Sequence, residues 1–407
     1  MALATTRCEE LFIISVGQEN HNTGPDFFNA QISIDNQKWA GNVEIHVKAS
    51  DWYAHGHEQD VNYENIILHV VWENDMPVFR YDNTIIPTLE LKNRITPSVL
   101  VNYQRLIGAK KKWINCEKSI GSIDDFTLDN WLERLYIERL EDKSVLITKL
   151  LEQSNNDWEN VLFKLLLRSF GLKVNGDSFL AISNTIDFSI IRKEQDNLNA
   201  MEALLFGMAG LLNTSTEGTY VTYLKNEFTY LKAKYTLVPM VTSVQFFRLR
   251  PNNFPTIRLS QLANLYHQQK SLFSKLISFE NLEDIYDLFD IVASEFWDTH
   301  YTFETISKCR KKRLSKSFMD LLLINTIVPL KFMYQHHIGT PNNELILDLM
   351  NEICSEKNGI ITQFLKLKIQ SDSAAKSQGL LQLKNGYCDK QRCLRCVIGK
   401  NLLMNES

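Results

Sequence analysis

Asn42-Val43-Glu44-Ile45-His46-Val47-Lys48 is written in period two. In an extended chain successive side chains point to opposite faces, so Val43, Ile45 and Val47 form one row and Glu44, His46 and Lys48 the other. The stretch is expected to be a β-strand with one apolar and one polar face. Outward from it, Ala30-Gln31-Ile32-Ser33-Ile34 also alternates and stops at Asp35-Asn36-Gln37, a turn signal, so the two strands are expected to close a hairpin. Leu11-Phe12-Ile13-Ile14-Ser15-Val16 ends at Gly17 and reads as a further strand. The β-branched and aromatic run Ile66-Ile67-Leu68-His69-Val70-Val71-Trp72 and the short Thr88-Leu89-Glu90-Leu91 complete a small mixed sheet. Pro77, Pro87 and Pro97 punctuate these strands, and residues 99–106 can form a helix against them.

From Thr127 the period becomes helical: Leu128, Trp131, Leu132, Leu135 and Leu140 recur at steps of three and four with charged residues between them. Similar patterns occupy residues 158–170, 201–212, 272–289, 318–334 and 345–361. The chain therefore reads as α+β: a mixed-sheet domain over residues 1–115 followed by a larger all-α domain over 116–407. The boundary falls near Gly108-Ala109-Lys110-Lys111-Lys112 and Gly121-Ser122.

Two domains also suit 407 residues, more than one core usually supports. A formal charge of -4 gives no global attraction to nucleic acid, so a polyanion would need a local basic patch. The start Met1-Ala2-Leu3-Ala4-Thr5-Thr6-Arg7 lacks the pattern of a signal peptide, and no apolar run approaches the roughly 20 residues that cross a bilayer. Seven cysteines, an odd number with three crowded near the C-terminus, suit a reducing compartment and a metal site. The expectation is a cytoplasmic protein without a membrane partner.

The polar row of the Glu44 strand carries candidate chemistry. Hydrolysis of a phosphodiester needs a divalent ion that polarises the phosphoryl oxygen and acidifies bound water, and hard ions such as Mg²⁺ or Mn²⁺ take oxygen ligands. Asp26, on the approach Gly24-Pro25-Asp26, and Glu44 are expected to hold such an ion, with the Ile45 carbonyl beside them and His46 placed to orient or deprotonate the water. A rival reading uses the histidines of Asp51-Trp52-Tyr53-Ala54-His55-Gly56-His57: a zinc or iron site from His46, His55, His57 and His69, with Asp60 behind it. For His69 alone, a satisfied core histidine is the simpler reading.

The Asp26, Glu44 and His46 pattern resembles the PD-(D/E)XK nuclease superfamily, whose core runs αβββαβ. That resemblance implies a restriction-endonuclease-like sheet and metal-dependent cleavage of nucleic acid. His46 stands where that superfamily has lysine, Lys48 lies one step too far along, and the first strand begins with little room for the opening helix. Residues 24–30, 41–46 and 51–57, together with Ile67-Leu68-His69-Val70-Val71-Trp72 and Arg248-Leu249-Arg250-Pro251-Asn252-Asn253-Phe254-Pro255-Thr256-Ile257-Arg258-Leu259, resemble the bacterial DUF2851 family. The likeness is expected to run on through the C-terminal cysteines, and it implies a chain shortened at its start. It also implies that Asp26, Glu44 and His46 belong together, and it supplies no reaction.

Tyr387-Cys388-Asp389-Lys390-Gln391-Arg392-Cys393-Leu394-Arg395-Cys396 reads C-x4-C-x2-C, close enough to set three thiolates around one centre. A fourth ligand is expected from Cys116 or Cys354, and the occupant is Zn²⁺ or an iron–sulfur cluster. Arg248, Arg250 and Arg258 flank a Pro-Asn-Asn-Phe-Pro turn from which a guanidinium can fork onto a phosphate. The runs at residues 110–112 and 308–313 are further positive stretches. The leading expectation is thus a metal-dependent nuclease. The alternatives are a nucleic-acid-binding or scaffold protein that keeps the fold without turnover, and a histidine-ligated metalloenzyme acting on a small molecule.

Overall fold

The computed structural model describes residues 3–108, 112–239 and 244–404. Of the basic run at 110–112, Lys110 and Lys111 lie outside the described residues. The architecture is the expected one, a mixed sheet followed by helices, and the chain divides into two compact units: Met1–Lys111 with Gly399–Ser407, and Lys112–Ile398.

Seven strands form the sheet: β1 (Leu3–Ala4), β2 (Glu10–Ser15), β3 (Gln18–Glu19), β4 (Phe27–Ile34), β5 (Gln37–Lys48), β6 (Ile66–Glu73) and β7 (Thr88–Glu90). Their order is β1-β2-β4-β5-β6-β7, with β3 added to β4. Pairing is antiparallel as far as β5 and parallel from β5 to β6 and β7. Asp35 and Asn36 both take left-handed backbone, φ 46° and 65°, which matches the twist that a two-residue hairpin between β4 and β5 requires.

A parallel pair cannot be joined by a tight turn, so the chain must cross over between β5 and β6. The crossover carries a short helix, Asp51–Ala54, and two 3₁₀ turns, His57–Gln59 and Val61–Tyr63. Trp52, 1% exposed, anchors it in a small core with Ala49, Tyr63, Ile66, Val71, Val78 and Ile86. The opposite face of the sheet holds a second core around Leu11, Ile32, Val43 and Leu68.

Burial along the second half of β5 does not follow polarity. Glu44 and His46 are buried beneath the crossover, whereas Ile45 and Val47 are 45% and 67% exposed. Lys48, expected with Glu44 and His46, is exposed at the strand end. Alternation tells which residues share a face; the crossover decides which face is covered.

The second unit is helical. Its longest helix, Asp125–Gln153, is capped by Asp124, whose carboxylate accepts the Thr127 N–H. It packs against Ala374–Gln382 so closely that a Cβ on Gly379 would fall 2.5 Å from the Leu132 carbonyl oxygen. Helices Trp158–Phe170, Leu198–Met208 and Pro255–Gln268 are buried nearly all round. Two expected long helices are each divided. Residues 272–289 form Leu272–Ser278 and Leu282–Leu288, the second capped by Asn281, and residues 345–361 give way to Asn343–Glu352 and Gly359–Lys366.

The helix Lys316–His337 is long and apolar enough to cross a membrane, with mean hydropathy 1.2 over its most apolar window, but 67% of that window is buried among its neighbours. That burial is what the core helix of a globular unit shows. A π turn at Leu323–Ile327 precedes Pro329, and the wider turn accommodates a residue that has no N–H to donate.

Candidate metal centre

The crossover lays His55 and His57 over the row of β5 that carries Glu44 and His46. Parallel register sets Glu44 opposite His69 on β6. His46 Nδ1 lies 2.8 Å from His69 Nε2, and His46 Nε2 lies 3.1 Å from His55 Nδ1. One carboxylate oxygen, Glu44 Oε1, is 3.5 Å from His46 Nε2 and 3.4 Å from His57 Nε2. The ligand atoms of His46, His55 and His57 all lie within 4.8 Å of one another. Such a nitrogen-rich donor set with one carboxylate suits a borderline transition ion such as Zn²⁺ or Fe²⁺ better than the harder Mg²⁺ or Mn²⁺.

Asp26 meets the same place from the start of β4. Its N–H donates to Glu44 Oε2 at 3.2 Å, and its Oδ2 accepts the Ile45 N–H at 2.9 Å. The acidic turn and the acidic strand therefore converge, with Asp26 on the half-buried rim and Glu44 inside. The electrostatics follow from that burial. Loss of water, with the Asp26 charge second, raises Glu44 to about 7. Burial, then neighbouring imidazoles, lowers His46 to about 4 and His69 to about 3, and His57 is lowered by the same causes. Neutral imidazoles beside a carboxylate that resists ionisation form a set that a cation would stabilise.

Packing holds the donors in place. His57 stacks on Tyr63 with ring centroids 3.8 Å apart, and Trp52 meets His57 edge-on at 5.4 Å and His69 at a tilt at 5.5 Å. Tyr63 was not singled out in the sequence; a lone tyrosine in a loop carries no signal until the crossover is known. Asp60, expected behind the histidines, caps the turn Val61–Tyr63 by accepting the Asn62 N–H. A cleft of about 310 Å³ beside His57 is lined by Trp52, Glu58, Asp60, Tyr63, Glu64 and Arg80, among others.

The remaining candidates lie in the helical unit. The charges of Cys393 and Cys396 reach Cys116 and Cys388, and Cys354 is not among the groups that act on either. Arg258 is 5% exposed, with its guanidinium 3.5 Å from the Phe318 ring centroid; it shares a cleft with Arg250. Arg248 is exposed over Phe247, with φ 63°.

The sequence profile of the family described as "Protein of unknown function (DUF2851)" matches residues 1–359. That span holds the sheet, all of the histidines and acids above, and the arginine turn. It ends short of Cys388, Cys393 and Cys396, so the expected likeness through the C-terminal cysteines is not part of the match. No curated protein and no solved structure matches the chain.

Proposed function

The chain belongs to the DUF2851 family, and we propose that it is a metal-dependent hydrolase whose ion is held by His46, His55, His57 and Glu44. The observation that carries this reading is the convergence of three imidazoles within 4.8 Å beside a buried carboxylate. With His46 binding through Nε2, its Nδ1–H donates to His69 Nε2, which orients the ring. A pKa of about 4 makes His46 a poor proton acceptor at neutral pH and a ready neutral ligand. The role first expected of it, taking a proton from water, passes to Asp26 on the rim. An ion held by these residues would supply an acidified water and polarise the bond to be cleaved.

Phosphodiesters of nucleic acid are the proposed substrate class. Two acidic groups that meet at one strand, as in the superfamily that the motif resembles, support that choice, as does the arginine turn of the helical unit, whose Arg248, Arg250 and Arg258 are proposed to meet phosphate. The purified full chain with Mn²⁺ or Zn²⁺ is expected to cut plasmid DNA or an RNA oligonucleotide, and Glu44→Ala to abolish cutting. Equal cutting by both proteins rejects the assignment.

One observation favours a second reading. Glu58, Asp60 and Glu64 line the cleft beside His57 against a single arginine, Arg80, whose Nη2 is committed to the Ile66 carbonyl at 2.7 Å. An acidic cleft repels polyanions and admits a small neutral or cationic substrate. Hydrolysis of small esters or amides, with no cutting of nucleic acid, would select this reading.

A further inference from the structure

The helical unit brings together four cysteines from stretches far apart in the chain. The Cys116 carbonyl accepts the N–H groups of Ser119 and Ile120 at 2.9 and 2.8 Å, which folds the first stretch into a tight turn. Beside it, Asn115 Nδ2 donates to the Cys393 sulfur at 3.4 Å, so the two stretches are in direct contact. Lys384 lies over the Trp113 ring at 5.3 Å and tightens the same junction.

The second stretch is a chain of turns that places a sulfur at each bend. Cys388 ends a π turn, Leu383–Cys388, and its carbonyl accepts the Gln391 N–H at 3.1 Å. Cys393 opens the 3₁₀ turn Cys393–Arg395 and accepts the Cys396 N–H at 3.2 Å. Cys396, 6% exposed, stands directly before the helix Val397–Met404. By contrast Cys8, Cys309 and Cys354 are exposed.

The charges of Cys393 and Cys396 act on both Cys116 and Cys388, and that of Cys116 acts on Cys388. The four sulfurs thus form one electrostatic group.

Spacing separates the possible occupants. Around one Zn²⁺ with tetrahedral Zn–S bonds of about 2.3 Å, the sulfurs would stand only ~3.8 Å apart. Among the described residues, only the three histidines of the sheet bring three ligand atoms within 4.8 Å of one another. The four cysteines are therefore spread more widely than a single ion draws them. A polynuclear cluster, in which each iron takes one thiolate, fits the wider cage.

We propose that Cys116, Cys388, Cys393 and Cys396 hold a [4Fe–4S] cluster, each cysteine binding one iron. The test is independent of the histidine centre and of any hydrolytic activity. The full chain, purified without oxygen and reconstituted with ferric iron, sulfide and a thiol that reduces part of the iron, is expected to be brown and to contain about four irons and four sulfides. Cys116→Ala and Cys393→Ala should each lose most of the colour and iron, whereas Cys354→Ala keeps both. One zinc per chain with no iron after reconstitution overturns the proposal, as does iron that all three variants retain equally. Alkylation of the intact protein guards against variants that fail to fold. Cys8, Cys309 and Cys354 should react at once and the four ligands only after the cluster is removed; equal reaction of all seven overturns it.

Discussion

His46 Nδ1 and His69 Nε2 face each other at 2.8 Å across two parallel strands, and both rings are buried. That contact fixes the orientation of the His46 ring and turns its other nitrogen toward His55 and Glu44. A histidine that alone reads as core filling thus becomes the support of a candidate ligand.

Removing that support should weaken the ion without removing a ligand. His69→Leu is expected to lower affinity for Zn²⁺ or Mn²⁺ about 10–100-fold, the usual effect of losing the partner behind a metal-bound imidazole. His69→Gln, which can still accept the Nδ1–H, should lose less. Competition against a chromophoric chelator measures both, and unchanged affinity in His69→Leu would falsify the supporting role.

The buried imidazoles also set a pH dependence for the metal-free chain. His46 and His69 titrate at about 4 and about 3 when folded, and His57 is also lowered, against 6.5 for the ordinary group. Their contribution to stability is complete above 6.5 and is lost as pH falls through the folded values. Glu44 acts in the opposite sense. Raised from 4.5 to about 7, it contributes fully below 4.5 and loses that contribution as pH rises through 7. Three groups oppose one, so the melting temperature should fall between pH 6.5 and 4, and Glu44→Gln should steepen the fall. A melting temperature that rises on acidification contradicts this accounting.

How much of this could be read in advance depends on whether a feature is local. The period of β5 and the Asp35-Asn36 turn are local, and strand and hairpin were legible. So were the regular stripes of Asp125–Gln153 and Trp158–Phe170. Pro255–Gln268 was missed as a helix because it is buried on all sides and interrupts its apolar pattern with Arg258, Gln261 and Asn264. Burial of Glu44 rather than Ile45 depends on where the crossover lies, which period two cannot specify. His55 and His57 were legible as donors by type. Their position over Glu44 follows only from the parallel pairing of β5 with β6.

Close packing along β5 offers a test that leaves every donor in place. A Cβ on Gly41 would fall 2.5 Å from Ile67 Cγ2 and 2.6 Å from the Asn65 carbonyl oxygen, at the end of the crossover. Gly41→Ala is expected to cost about 1–3 kcal/mol in the sheet unit, as overpacking typically does. Because the shift falls between β5 and β6, metal affinity should drop with it. Full stability together with full affinity would show that the strands can part there without moving the site.

Arg258 poses a different question, because a buried cation is expensive and this one has neutral partners. Its Nη1 donates to Gln261 at 2.9 Å and its Nη2 to Asn253 at 2.5 Å, while Nε has no partner. Burial lowers its pKa to about 9. The cleft it lines also holds Arg250, Asn252, Arg313, Ser315 and Ser317, and its lining includes no carboxylate. Arg258→Met removes the buried charge but leaves the Gln261 and Asn253 side-chain oxygens without the donors they now have. The variant is therefore expected to lower the melting temperature, by about 1–3 kcal/mol in stability for the stranded acceptors. If phosphate enters the cleft, the same variant should bind an oligonucleotide more weakly, with a salt slope shallower by about 1. Anisotropy titrations at several salt concentrations read that slope. An unchanged slope would show that Arg258 never meets a phosphate.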